Sequence, residues 1–239
     1  MKTMMLSDLL VARSMLLQML SICVFVGLVM CYAMDTTVGG IAAVAAMVPF
    51  MYLFTIAGMD EQNGWERFRL TLPVSRRQVV LGRYASVLLV VLATTVVAIL
   101  LRLAVAAVAS AIAGGQPDAP LAGLALDANP PAAIAASTLA AALVILMGAS
   151  VALPLIARFG MTKATRFAPL VVVLVLAVGV GLFGESIPAL DLVTNLNTWL
   201  ADGSWGAVAA LVAGVVAGAL AVYAASAFVA VKLYEQRAF

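Results

Sequence analysis

Histidine is absent from the 239 residues, which removes the commonest metal ligand and the usual general base near neutral pH. Cysteine occurs twice, as Cys23 and Cys31 within one apolar run. Two such thiols make no disulfide framework and behave as small hydrophobes. Charged residues supply only 10% of the chain, against about a quarter in a water-soluble domain. No Gly-x-x-x-x-Gly-Lys-Ser/Thr phosphate loop occurs, and no soluble stretch is long enough for a nucleotide-binding domain. Without histidine or carboxylates inside the apolar runs, intramembrane hydrolysis lacks its usual serine–base, aspartate-pair or metal chemistry.

Apolar residues dominate instead, at 65% of the chain with a mean hydropathy of +1.17. They come in unbroken runs that a soluble core cannot absorb, so lipid is the solvent. A spanning helix needs about 20 mostly apolar residues, and six segments qualify: Met15 to Met34, Val38 to Gly58, Val79 to Leu101, Ala132 to Ala157, Phe167 to Phe183 and Trp205 to Val231. The expected fold is an all-α integral membrane protein, a single six-helix domain over residues 1–239. The first run is too long for the 7–15-residue core of a secretory signal, and reads as an uncleaved span.

Arginine and lysine set the orientation. With both termini in the cytoplasm, the inner segments hold Lys2, Arg13, Arg67, Arg69, Arg76, Arg77, Arg83, Arg158, Lys163, Arg166, Lys232 and Arg237. Only Arg102 remains outside, with Asp35, Asp118, Asp127, Glu185, Asp191 and Asp202; the asymmetry is a topology signal. Arg83 and Arg102 bracket the third span, about 28 Å apart along a helix, and Arg102 reads as snorkelling to the outer interface. Tyr32, Trp199 and Trp205 fall at the outer boundary and Tyr84 and Tyr234 at the inner one, as an aromatic belt. Whether the apolar stretch 102–113 prolongs the third helix or lies on the outer surface stays open.

Residues 1–14 make an interfacial amphipathic helix, with Met5, Leu9, Ala12 and Leu16 opposite Asp8 and Arg13. The outer loop from Gly114 to Pro131 is rich in proline and reads as irregular. Residues 184–204 carry Leu190, Val193, Leu196 and Leu200 at helical spacing, an outer amphipathic helix or re-entrant hairpin. Gly214 and Gly218 place a small-residue face on the last span, a packing surface within or between subunits.

The most informative stretch, residues 59–77, joins the second and third spans on the cytoplasmic side. Trp65, Phe68 and Leu72 form one apolar stripe on a short helix. Asp60 and Glu61 are expected at its N-terminus, where negative charge is favoured. Pro73 ends it, and Ser75 with Gln78 forms a capping box that starts the next helix. The product is a compact surface helix joined stiffly to a span; an ordinary interfacial anchor would share the same pattern.

Asp60-Glu61, Trp65, then Leu72-Pro73-Val74-Ser75-Arg76-Arg77, Val79-Val80 and Tyr84 resemble the membrane subunits of bacterial type-2 ATP-binding-cassette (ABC) exporters. The closing Tyr234-Glu235-Gln236-Arg237-Ala238-Phe239 resembles their short charged tail. The resemblance implies that the helix from Asp60 to Leu72 is a coupling helix docking on a separate ATPase subunit. Asp60, Glu61, Trp65, Glu66, Arg67, Phe68, Arg69, Leu72, Arg76 and Arg77 would make the contact. The inner loop 158–166 would be a second, smaller contact. Two ATPase subunits, which bind ATP and Mg, would serve two permeases, this chain paired with a second copy or with a different one. No cofactor is expected in this chain and no nucleic acid; membrane lipid surrounds it, in the bacterial inner membrane. The competing readings are a stand-alone secondary transporter or channel, which usually carries an ionisable residue at mid-span, and a non-transporting anchor or sensor. No span centre carries such a residue.

Overall fold

A computed structural model describes residues 2–34, 37, 41–64, 75–114, 121–162 and 205–236. The expected fifth span, the segment from Trp65 to Leu72, the outer segment 184–204, and Asp35, Asp118 and Trp199 lie outside the described residues. Within them the protein is all helix: α1 Lys2–Met34, α2 Ala42–Gln62, α3 Arg76–Ala113, a single 3-10 turn Ala122–Leu124, α4 Pro131–Phe159 and α5 Trp205–Glu235. Each of the five α-helices is long and apolar enough to cross a membrane.

The ends follow local chemistry. Ser75 caps α3: its Oγ accepts from the Gln78 amide while Gln78 Oε1 accepts from the Ser75 amide, completing the expected capping box. At the other end Gly114 adopts φ 59°, ψ 22°, the left-handed conformation that glycine takes without a Cβ clash, and donates to the Ser110 carbonyl. Pro131 stands in the first turn of α4, where no intrahelical N–H is needed.

Two expectations change and one open point closes. Residues 1–14 are not a separate interfacial helix, because α1 continues unbroken from Lys2 into the first span. Its inward face carries Met4, Asp8 and Ala12, so Asp8 is buried where a polar face was expected. The stretch after Arg102 prolongs α3, which reaches 38 residues, about 57 Å of helix. Asp60 and Glu61 lie in the last turn of α2 and not at a following N-terminus. That end of a helix disfavours negative charge, so both acids need partners, described below.

The third helix is the axis of the bundle, packing against α1, α2, α4 and α5. Val80, Tyr84, Val87, Val91, Ala98, Arg102, Ala106, Ala109 and Ala113 are buried along it, the stripe expected of a helix with one inward face. Two apolar clusters result. The inner one gathers side chains from all five helices around Tyr52, Val87, Leu146 and Tyr223. The outer one joins Cys31, Val44, Val48, Ala98 and Ala109 with Leu124 of the 3-10 turn.

The opposite faces are bare and apolar. Leu92, Val96, Leu100, Val108 and Ile112 on α3, Leu10, Leu17, Ile22 and Phe25 on α1, and Val222, Phe228 and Val229 on α5 are all exposed. A protein in water does not display apolar surface on this scale. These faces belong in hydrocarbon. Gly214 and Gly218 belong to this exterior, with no atom of another element near the position of a Cβ. The small-residue face is therefore unused within the described chain.

Candidate functional site

The charged residues that sequence patterning set at the membrane boundaries form two interior polar centres. At the inner end, Arg83 of α3 bridges Asp8 of α1 and Asp60 of α2. Its Nε donates to Asp8 Oδ2 at 3.0 Å, and its Nη2 donates to Asp60 Oδ2. The side chains of Arg83 and Asp60 are 13% and 12% exposed, and that of Asp8 is 4% exposed. Charges this removed from water persist only when paired and hydrogen-bonded. One guanidinium therefore pins three helices to one another. A cavity of about 60 Å³ lies beside it, with Asp60, Arg83, Tyr84 and Tyr234 on its wall, room for a few waters.

Neighbouring bonds extend this clasp over the same end of the bundle. Glu61, one residue after Asp60, accepts from the Thr162 amide at 2.8 Å and from Thr162 Oγ1 at 2.6 Å. The end of α2 is thereby tied to the segment that follows α4. Arg76 in the first turn of α3 donates to the Glu235 carbonyl at the end of α5, at 3.0 Å. Deeper in, Tyr223 OH donates to the Tyr84 carbonyl at 2.9 Å, and Ser226 Oγ donates to the Ser150 carbonyl. The Ser226 proton is committed there, so Tyr84 OH is the donor in its 2.8 Å contact with Ser226 Oγ. Tyr84 and Tyr234 are buried, which corrects their assignment to an inner aromatic belt. Tyr32, by contrast, is exposed.

The second centre is at the outer end, around Arg102. Its side chain does not snorkel outward, as residue exposure is 1%. Nη1 donates to the Ile134 carbonyl at 3.0 Å and to Ser137 Oγ and Thr138 Oγ1, both at 2.7 Å. Nη2 reaches Thr37 Oγ1 at 3.3 Å. Thr37 donates in turn to Asn129 Oδ1 at 2.7 Å, and the Asn129 amide holds the Gly123 carbonyl at 2.8 Å. The outer loop, the connection between α1 and α2, and the helix pair α3–α4 thus meet at one cation. Thr94, Thr95 and Ser150 bond the carbonyls one turn back in their own helices, as span hydroxyls commonly do.

Of the ten residues expected to contact an ATPase, the structure describes four. Asp60 faces Arg83 in the interior, and Glu61 meets Thr162. Arg76 meets the end of α5, and Arg77 is an exposed neighbour in the same turn. Trp65, Glu66, Arg67, Phe68, Arg69 and Leu72 lie outside the described residues. The Asp8–Arg83–Asp60 clasp escaped the sequence reading, although a signal existed. Each is an ionisable side chain at the inner end of an apolar helix, and such charges in lipid seek one another.

These helices define the class: a multi-pass membrane protein whose interior polar groups are paired across helices. Residues 3–116 match the model of a family described as ABC-2 family transporter protein. The match runs from the first turn of α1 to just past the Gly114 cap, taking in Asp8, Asp60, Arg83 and Arg102. Over these residues, just under half of the chain, it is similar to that transporter family, in line with the resemblance carried by the Asp60 to Tyr84 pattern. No curated protein and no solved structure matches the chain.

Proposed function

We propose that the chain is the permease subunit of an ATP-driven ABC exporter. It forms the substrate path and couples that path to a separate ATPase subunit, which binds ATP and Mg. The observation that carries this reading is the anchoring of both ends of the segment between α2 and α3. Asp60 and Glu61 fix its beginning to Arg83 and Thr162, and the Ser75–Gln78 box fixes its end. A force applied to Trp65, Phe68 and Leu72 would reach α1, α2 and α3 together, because Arg83 joins all three. Glu66, Arg67, Arg69, Arg76 and Arg77 would supply the polar rim of that docking surface, with residues 158–166 as a smaller second contact.

The working unit would hold two ATPase copies and two permeases, either two copies of this chain or this chain with a different one. Its place would be the bacterial inner membrane, as one six-helix domain with cytoplasmic termini, and its cargo would be amphipathic or hydrophobic, such as a peptide, lipid or drug. The test is reconstitution with its ATPase and replacement of Trp65 and Phe68 by alanine. Loss of ATPase association and of transport is the expected result. Unchanged association with unchanged transport would overturn the reading.

Burial of Arg102 inside α3 favours one alternative, since stand-alone transporters and channels place ionisable groups within the membrane. Transport of cargo by the chain alone in liposomes would support that alternative against the exporter.

A further inference from the structure

Arg102 is bonded unevenly, and the unevenness has a shape. A guanidinium carries five N–H donors in one plane, and Nε with Nη2 forms one edge that matches the two oxygens of a carboxylate or phosphate. Nη1, on the other side, is saturated by the Ile134 carbonyl, Ser137 and Thr138. Nη2 has only the 3.3 Å contact with Thr37, and Nε is buried with no hydrogen-bond partner. Among the described residues no carboxylate pairs with this cation. The hydroxyl protons around it are spent elsewhere: Ser137 donates to the Ala133 carbonyl, Thr138 to the Ile134 carbonyl and Thr37 to Asn129. The cradle therefore holds the cation through lone pairs and supplies no negative charge. A buried cation kept by neutral acceptors alone, with one donor edge empty, is costly.

Further out along α3 is an apolar groove that lies partly on the side of Arg102. Ala104, Val105, Val108 and Ala109 line it with Leu121 and Leu124, an open trough of about 250 Å³. Val105 and Ala109 stand three and seven residues beyond Arg102, on its side of the helix. An unpaired donor edge, closed to solvent in this arrangement, with an apolar trough further out along the helix matches a ligand with an acidic head and a hydrocarbon chain.

We propose that Arg102 binds the carboxylate or phosphate of an anionic amphiphile, whose apolar chain lies in the groove between the outer end of α3 and the 3-10 turn. Arg102 is 1% exposed in the arrangement described, so the acid reaches the fork by a parting of the outer ends of α3 and α4. The proposal concerns binding alone and does not rest on coupling to an ATPase.

The test uses the full chain in phosphatidylcholine nanodiscs, with dodecyl phosphate as probe and dodecyltrimethylammonium and inorganic phosphate as controls. Dodecyl phosphate should bind saturably and raise the thermal midpoint, and neither control should. Arg102→Gln should weaken binding roughly tenfold or more, the loss expected for a charge-assisted pair. Should that variant not fold, Thr37→Asp serves instead. A carboxylate beside Nη2 should fill the fork, raise the midpoint and abolish dodecyl phosphate binding. Equal affinity in Arg102→Gln or Thr37→Asp, or equal binding of the cationic detergent, would overturn the site. Equal binding of inorganic phosphate would overturn the amphiphile as its ligand class.

Discussion

Replacing Arg83 by methionine is the sharpest single perturbation of this architecture. Methionine keeps much of the length and the apolar stem, but removes the donors that Asp8 and Asp60 share. The two carboxylates stay where they are, 4% and 12% exposed, now repelling each other. Breaking a buried ion pair by removing one partner costs about 3–5 kcal/mol. For a chain of this size each kcal/mol lowers the midpoint by roughly 2–4 °C, so the loss should be about 6–20 °C. Arg83→Lys should fall between, because one ammonium cannot reproduce the Nε and Nη2 contacts together. The assay is thermal unfolding of the purified protein in one lipid composition, read by intrinsic fluorescence and by retention of the monodisperse peak. The triple variant Asp8→Asn, Arg83→Met, Asp60→Asn should recover most of the loss, since a neutral replacement of a whole buried network is tolerated. A midpoint for Arg83→Met within about 2 °C of the wild type would refute the reasoning.

Three further outcomes are expected. Ser75→Ala should cost about 1 kcal/mol and speed amide exchange at Gln78, measured by hydrogen–deuterium exchange across the start of α3. Tyr223→Phe removes the bond to the Tyr84 carbonyl and should destabilise by about 1 kcal/mol; Tyr84→Phe should cost less, because Ser226 keeps its bond to Ser150, and an inverted order in the unfolding midpoints would contradict the donor assignment. Gly214→Ala and Gly218→Ala should not weaken the fold, since nothing surrounds either position, and should add up to about 1 kcal/mol each in helix propensity; a large loss of midpoint would reveal a close approach at this face.

Much of the fold was legible because lipid imposes simple demands. The length of each apolar run set where helices must be, and Ser75 with Gln78 announced the start of α3 from two residues. What escaped depended on tertiary partners. Residues 2–14 of α1 mix polar and apolar side chains without a clean stripe, so their periodicity did not fix which side faces inward, and Asp8 was placed on the wrong one. Arg102 was read as snorkelling to the outer interface because a lone arginine after an apolar run usually does so. Nothing in the linear order announces that Thr37, Ser137 and Thr138 converge on it. The acids Asp60 and Glu61 were assigned to the helix they precede, when the helix they close claims them. The candidate coupling segment rests on the sequence, and the structure adds the residues that hold its two ends.

The 38 residues of α3 run without interruption from the Arg83 clasp to the Gly114 cap, about 57 Å. A rod of that reach magnifies whatever happens at its foot. A pivot of only ~5° about Arg83 would swing the far tip by ~4 Å over the remaining ~45 Å of helix. That sweep is comparable to the width of an acyl chain. Small movements at one membrane face are therefore carried to the other with no joint in between.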